Sequence, residues 1–338
     1  MPSMNIAPVH WLPFGTLELW PKPQRVSEQP RRVRCYVRGC QQILATPSRA
    51  SRGEICPEHR IRCHHSSAGS TYSYADPRHN IIASADLFAE RIIHHPFKFE
   101  SHRMGLEKSE DAVSWNVFRS LAELDSLHRV AELILGVPQS FEPDLYLWGI
   151  KISGDDFESW DLLRAARDRF ESNLPVDRPL TEPDIALHLP GQYLILIEAK
   201  FTSPNGYYEQ GPRRDSSSLT LAELLAIYHD SSLDVLDIER ARQSTRVPYQ
   251  LWRNMVFAEW MARLDSSSTI PYHVNLVRAG YEQQVAHEFG QLVRPNHQAQ
   301  FAQLTWEEIY HACVGPVYRP LRQYFETKTA GLTKAFDV

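Results

Sequence analysis

The sequence predicts an α/β domain, a mixed sheet flanked by helices, carrying a small metal-stapled module at its N-terminal side. Three observations predict it. From about residue 82 helix-period and strand-period segments alternate in the order helix, strand, strand, strand, helix, strand. One strand, YLILIEAKF (193–201), is apolar on both faces, as a strand covered on two sides must be. Four of the five cysteines fall between residues 35 and 63, in a stretch with little apolar content.

The 338 residues suit about two domains. Apolar residues at 43% and charged residues at 23% match a globular chain rather than a disordered one. The formal charge of -5 excludes a generally basic coat, yet residues 1–70 carry ten Lys/Arg against four Asp/Glu, so the head is basic and the body acidic. No basic start followed by an apolar run suggests a signal peptide, and no apolar run approaches the ~20 residues of a membrane span. The expectation is a soluble, cytoplasmic protein that does not enter membranes.

Residues 1–34, rich in Pro and Arg, read as an extended arm, residues 35–80 as the metal-binding module, and residues 81–338 as the main domain with closing C-terminal helices. In the main domain, residues 82–95 form a short amphipathic helix ended by Pro96. Ser109 caps a long helix that Gly136 and Pro138 stop. A strand over 143–150, a helix near 156–172 and strands over 183–189 and 193–201 follow, the last two joined by Pro190-Gly191-Gln192. A polar loop (202–218), helices around 219–229 and 246–263, a strand over 273–280 and two more helices complete the chain.

The strand 193–201 ends on an anomaly. Alternation puts Leu194, Leu196, Glu198 and Lys200 on one face, so two opposite charges continue a buried apolar row. Isolated charges there are costly unless paired or bound to metal. With the three-residue turn, opposed residue numbers sum to 382, which sets Asp184 across from Glu198 at ~5 Å. Two carboxylates that close need a cation or a shared proton. Asp184, Glu198 and the Ala199 carbonyl offer the hard oxygens Mg²⁺ or Mn²⁺ takes, with Lys200 placed to act on an attacking water.

Pro183-Asp184, thirteen residues, then Glu198-Ala199-Lys200 resembles the PD-(D/E)xK motif of the restriction-endonuclease-like nuclease superfamily. The resemblance covers roughly residues 107–280 and implies an αβββαβ core and Mg²⁺-dependent hydrolysis of DNA phosphodiesters, with RNA not excluded. It further implies a setting in bacterial restriction or antiphage defence and a possible homodimer. The family's acidic residue on the first helix maps to Glu110, which continues the stripe of Val113, Val117 and Leu121; Glu107 and Asp111 are weaker candidates. Its polar residue on the helix after the third strand maps to Gln250, with Arg253 and Asn254 near the same face. Pro143-Asp144 starts a strand without a following E-x-K and is a chance match. The competing reading of Glu198 and Lys200 is an ion pair at a strand end, in a non-catalytic zinc-containing nucleic-acid-binding protein built on a degenerate nuclease fold.

Cys35-x4-Cys40, fifteen residues, then Cys56-x2-His59 supplies the number and kind of ligands of a closed tetrahedral Zn²⁺ site. The pattern resembles zinc-knuckle or treble-clef modules attached to nucleic-acid enzymes, and Cys63 or His64 could replace His59. Arg31, Arg32, Arg34, Arg38, Arg49, Arg52, Arg60 and Arg62 surround it, suiting a phosphate-backbone grip. His64-His65 with Asn80 raises an HNH-type nuclease alternative, but residues 63–80 contain Pro77 and many small residues, and the helix that follows lacks an obvious ligand at the right offset. His94-His95 is a poor shared ligand pair, and Cys313 sits in an apolar helical pattern as a core residue.

Overall fold

A six-stranded mixed sheet organises the chain, in the spatial order Gln300–Thr305, Ile270–Val277, Tyr193–Ala199, Ile185–Leu189, Asp144–Leu147 and Ile150–Lys151. The computed structural model describes residue 19 and residues 25–27, 32–48, 51–66, 69–92, 95, 101–152, 157–174, 180–211, 220–230, 232–294 and 299–338. Most of the expected arm, Arg31, Arg49, His94, Pro96 and residues 212–218 of the polar loop lie outside the described residues.

The Tyr193–Ala199 strand is buried at every position. It pairs antiparallel with Ile185–Leu189 in the register that opposes Leu189 to Tyr193 and Ile185 to Ile197. Gly191, at φ +71°, makes the tight connection possible, and the Asp265 carboxylate fixes it by accepting the Gly191 amide at 3.0 Å. On its other side the strand runs parallel to Ile270–Val277, the crossover being made by the long helix Tyr249–Asp265. A second parallel step adds Gln300–Thr305 at the edge.

The two faces of the sheet bury different cores. Tyr193, Ile195 and Ile197 pack with Val113, Val117 and Leu121 of the helix Glu110–Glu123 and with the C-terminal residues Leu321, Phe325 and Phe336. Leu194 and Leu196 pack with Leu163, Leu224, Leu251 and Met255 from helices on the other face. Both layers exclude water, which is why this strand shows no polar residue before Glu198.

The structure departs from the sequence expectations at several boundaries. The helix expected from 109 to 136 is two helices, Glu110–Glu123 and Leu127–Leu135. Asp125 takes a left-handed conformation (φ +47°) between them. The Ser126 hydroxyl donates to the Leu124 carbonyl and meets the Tyr318 hydroxyl at 2.7 Å, while Glu142 accepts the freed Leu127 amide. Distant partners thus satisfy the broken turn. Gly136 caps the second helix at φ +69°, as its position predicts.

The 143–150 strand is a short hairpin that turns at Trp148 and Gly149, both at positive φ. In the 82–95 segment, helical structure covers Ala85–Leu87 and a wider turn through Ile92. Residues Arg246–Pro248 are not helix but a strand paired with Tyr207–Glu209, so the polar loop carries a strand of its own. The strand expected over 273–280 runs instead from Ile270 to Val277. Elements not anticipated include the edge strand Gln300–Thr305, the helix Ile238–Gln243, the hairpin Thr329–Ala330 with Thr333–Lys334 and a third helix after the Ile270–Val277 strand.

The N-terminal module has more core than its composition suggested. Val33, Tyr36, Val37, Leu44, Ile61 and Tyr72 are buried with the cysteines, and Leu332 inserts among them from the far end of the sequence. Residues Ile61–Ser66 and Gly69–Tyr74 form an antiparallel hairpin beneath the cluster. Among the described residues no helix is long and apolar enough to cross a membrane.

The Ser109 side chain accepts the Ala112 amide at 3.2 Å and caps the helix that begins with Glu110. Replacing it by Ala should cost about 1 kcal/mol of stability, measured as a lower denaturation midpoint in urea at unchanged slope.

Candidate active site and metal centre

The sequence-predicted carboxylates and lysine converge at one end of the sheet. The strand register carries Asp184 opposite Glu198, one step beyond the Ile185–Ile197 pair. The Asp184 carboxylate accepts the Ala199 amide at 2.8 Å, which turns it inward beside Glu198. Lys200 follows the last residue of the strand, and its backbone is held to the neighbouring strand by donation to the Leu276 carbonyl at 2.7 Å. Its Nζ lies 2.6 Å from Glu198 Oε1 and 3.9 Å from Glu110 Oε1. Glu198 and Lys200 are 2% and 4% exposed, so this is a buried pair, not a frayed surface one.

Glu110 arrives from the opposite face. Its carboxylate accepts the Phe201 amide at 2.6 Å and the Ser203 hydroxyl at 3.3 Å, which brings the start of its helix against the end of the strand. The long crossover helix supplies two amides to Glu198. Gln250 Nε2 donates to Oε1, and Asn254 Nδ2, one turn on, donates to Oε2 at 2.8 Å. Arg253, between them in sequence, instead lies over the Tyr249 ring. Of the weaker acidic candidates, Asp111 accepts the Trp148 indole N–H at 3.1 Å, and Glu107 lies at the joint with the N-terminal module. Asp144, of the second Pro-Asp, pairs with Lys151 at 2.8 Å.

Burial governs the electrostatics. It pushes the Asp184 carboxyl well above the usual carboxylate range, and the Glu198 charge adds to the effect. Burial likewise pushes Glu110 up to about 7, against the pull of Lys200. For Lys200 burial opposes the charge, but Glu198, Asp184 and Glu110 together hold it above the usual lysine range. Three acids around one ammonium leave a surplus of negative charge that protons or a cation must offset. These carboxylates offer hard oxygen donors only, but among the described residues the group whose ligand atoms stand close enough together for a metal is the cysteine–histidine cluster of the N-terminal module.

Sequence reasoning missed two polar residues beside this cluster. Asn275 is the residue on Ile270–Val277 that pairs in register with Glu198, and it is fully buried. Its Oδ1 accepts from Asn205 Nδ2 at 3.0 Å, and Asn205 is itself held by the Glu282 carboxylate. Alternation along HVNLV, with His273 and Asn275 sharing a face between apolar neighbours, was the signal that could have found it.

At the N-terminal module two tight turns present the four sulfur and nitrogen ligands. Cys40 N donates back to the Val37 carbonyl across Gly39, at φ +84°, and Arg60 N donates to the Cys56 carbonyl. The Cys35, Cys40, Cys56 and His59 ligand atoms all lie within 4.8 Å of one another. Cys40 and Cys56 sulfurs stand 3.8 Å apart, and His59 Nδ1 is 3.4 Å from Cys56 and 3.8 Å from Cys35. Ligands 2.0–2.3 Å from one tetrahedral Zn²⁺ stand about 3.5–3.8 Å apart, so the cluster could hold a zinc ion.

His59, and not His64, completes the set. The His64 ring is engaged with Ser73 at 2.8 Å, and the buried Cys63 thiol hydrogen-bonds with Cys35 beside the group without being one of its four members. Asn80, part of the HNH alternative, spends its amide on the Met104 and Leu106 carbonyls. Cys313 is a buried core thiol. Of the described arginines, Arg38, Arg52 and Arg60 are exposed around the cluster, while Arg32 pairs with Glu54 at 3.2 Å.

Comparison with family models, with curated proteins and with solved structures gives no match.

Two outcomes follow from this geometry. Protein purified without chelators should carry one zinc per chain by elemental analysis, and Cys56→Ser should lose it. Roughly 10–16 kcal/mol of metal-linked folding free energy in comparable zinc peptides makes local unfolding of residues 33–65 the expected consequence.

The second outcome concerns pH. A carboxyl whose folded pKa exceeds its unfolded value binds an extra proton in the folded state, so its contribution falls as pH rises between the two. Metal-free protein should therefore lose stability from Glu110 between about pH 4.5 and 7. In thermal melts over that window, the stability of Glu110→Gln relative to wild type should increase with pH.

Proposed function

We propose that the protein is a metal-dependent nuclease that hydrolyses phosphodiester bonds of DNA, with a restriction-endonuclease-like core and a zinc-stapled N-terminal module. The observation that carries this reading is the convergence of Asp184 with the buried Glu198 and Lys200, with Glu110 within 3.9 Å of the lysine Nζ, from three separate elements. The strand order supports it. Three antiparallel strands, a crossover helix and a parallel strand after an initial helix make the αβββαβ succession. A restriction or antiphage role is the biological setting proposed with it.

Asp184 and Glu198 would hold Mg²⁺. The ion when bound would lower the pKa of a coordinated water and offset charge building on the phosphate. The chain's own groups do the rest. The Lys200 ammonium, held charged by three acids, is positioned to orient the attacking water and to stabilise negative charge at phosphorus. Gln250 and Asn254 fix the Glu198 carboxylate plane. Glu110, tied to the strand end by the Phe201 amide, holds Lys200 from the opposite face. Direct attack by water implies inversion at phosphorus.

One observation favours the rival, non-catalytic reading. Both Glu198 oxygens already receive protein donors, Lys200 and Gln250 on one and Asn254 on the other. A closed ion-pair network of that kind also satisfies a buried carboxylate with no metal. Plasmid and linear DNA incubated with purified protein, in Mg²⁺ or in EDTA, separates the two. Cleavage is expected in Mg²⁺ alone.

Asp184→Ala should abolish cleavage with the fold intact. Lys200→Ala should lose most of the rate, at least a hundredfold, while keeping DNA affinity. Wild-type rates from either variant, in protein free of contaminating nuclease, would refute the assignment.

A further inference from the structure

Two of the supports of Glu110 lead to the same distant segment. Its first support is the Phe201 amide. The Phe201 ring is fully buried against Phe336, with centroids 5.4 Å apart, and lies under Arg278 and Lys328 at 5.8 and 5.9 Å. Arg278 in turn donates to the Ala335 carbonyl at 3.3 Å, and Lys328 Nζ donates to Asn80 Oδ1 at 3.2 Å. Its second support is the helix start, just after Glu107. That carboxylate is 1% exposed and accepts the Leu332 amide at 2.8 Å and the Thr71 hydroxyl at 2.7 Å.

Residues 328–336 therefore touch two supports of Glu110. Between them runs a short hairpin, Thr329–Ala330 paired with Thr333–Lys334, whose tip is Gly331-Leu332. Leu332 holds φ +70°, a left-handed conformation unfavourable for leucine, and its side chain is 6% exposed within the core that contains Cys35, Cys40 and Cys56. A strained backbone is retained where the surroundings over-determine it. Here the surroundings are the buried cluster of Val33, Tyr36, Leu44 and Tyr72 with the ligand cysteines.

We propose that Leu332 is a positioning residue: it plugs the N-terminal zinc module and thereby makes the placement of Glu110 at the candidate active site depend on metal in that module. With the plug seated, the hairpin presents the Leu332 amide to Glu107 and keeps Phe336 against Phe201. With the module unfolded, the hairpin tip loses its pocket, Glu107 loses a buried donor, and the Phe201–Glu110 hydrogen bond loses its packing. The bistable element is the hairpin tip, docked or free. The catalytic part of this inference rests on the nuclease reading; its structural part does not.

The test reads amide hydrogen exchange and cleavage separately, on the full chain. Leu332→Gly removes the plug and suits a positive φ, and Leu332→Asp makes burial of the tip unfavourable. Both variants should retain one zinc per chain and full protection over residues 193–197. The Phe201 amide should exchange at least tenfold faster, and cleavage should fall by a similar factor. Cys56→Ser, which removes the metal instead of the plug, should produce the same loss at Phe201. An unchanged Phe201 amide in Leu332→Gly or in Cys56→Ser overturns the proposal. If wild type shows no cleavage, the nuclease reading fails, and the exchange result still decides the coupling.

Discussion

Everything at the candidate site depends on one electrostatic constraint. Glu198 and Lys200 are charged residues at the end of a strand covered on both faces, and Asp184 adds a second carboxylate in register. Removing such groups from water costs several kcal/mol per ion unless they are paired and hydrogen-bonded. The surrounding elements answer that cost. Gln250 and Asn254 give their amides to Glu198, the Ala199 N–H goes to Asp184, and the Phe201 N–H goes to Glu110. Replacing Asn254 by an apolar residue would leave Glu198 Oε2 without its donor, a penalty of about 1–3 kcal/mol.

The sheet topology makes those answers available. An antiparallel turn brings Asp184 beside Glu198, whereas the parallel crossover returns a long helix over the same face with its N-terminal turn at the charged end. That is why Gln250 and Asn254, one turn apart, reach the same carboxylate. Helix Glu110–Glu123 starts at the same end on the opposite face, so acids from both layers meet across the end of the strand. A scaffold with this connectivity places polar groups where two cores stop.

Much of this was legible in the sequence because it follows from short-range rules. Alternation assigned Glu198 and Lys200 to one face, the three-residue turn fixed the register with Asp184, and Ser109 marked the start of the Glu110 helix. The cysteine spacing was equally local, and His59 completes its ligand cluster. What escaped detection depends on partners far away in the chain. The helix breaks at Asp125 because Tyr318 and Glu142 satisfy the break, and neither has a signature near residue 125. Asn275 was overlooked although its alternation was readable, since a lone amide in a strand has many ordinary explanations. Leu332 could not have been assigned, because an isolated leucine beside a glycine carries no mark of the pocket it fills.

The insertion of Leu332 into the first module also sets an order of events during synthesis. Residues 33–72 supply nearly the whole of that small core and leave the ribosome early, yet the piece that closes it is residue 332. At about 5–20 residues per second, the interval between them is on the order of tens of seconds. For that time the newly made module lacks the side chain that completes its buried core of Val33, Tyr36, Leu44 and Tyr72, and an ion at the Cys35, Cys40, Cys56 and His59 cluster would help hold that core in shape. Early metal capture would therefore shield a nascent surface from aggregation and keep the pocket ready for its last side chain.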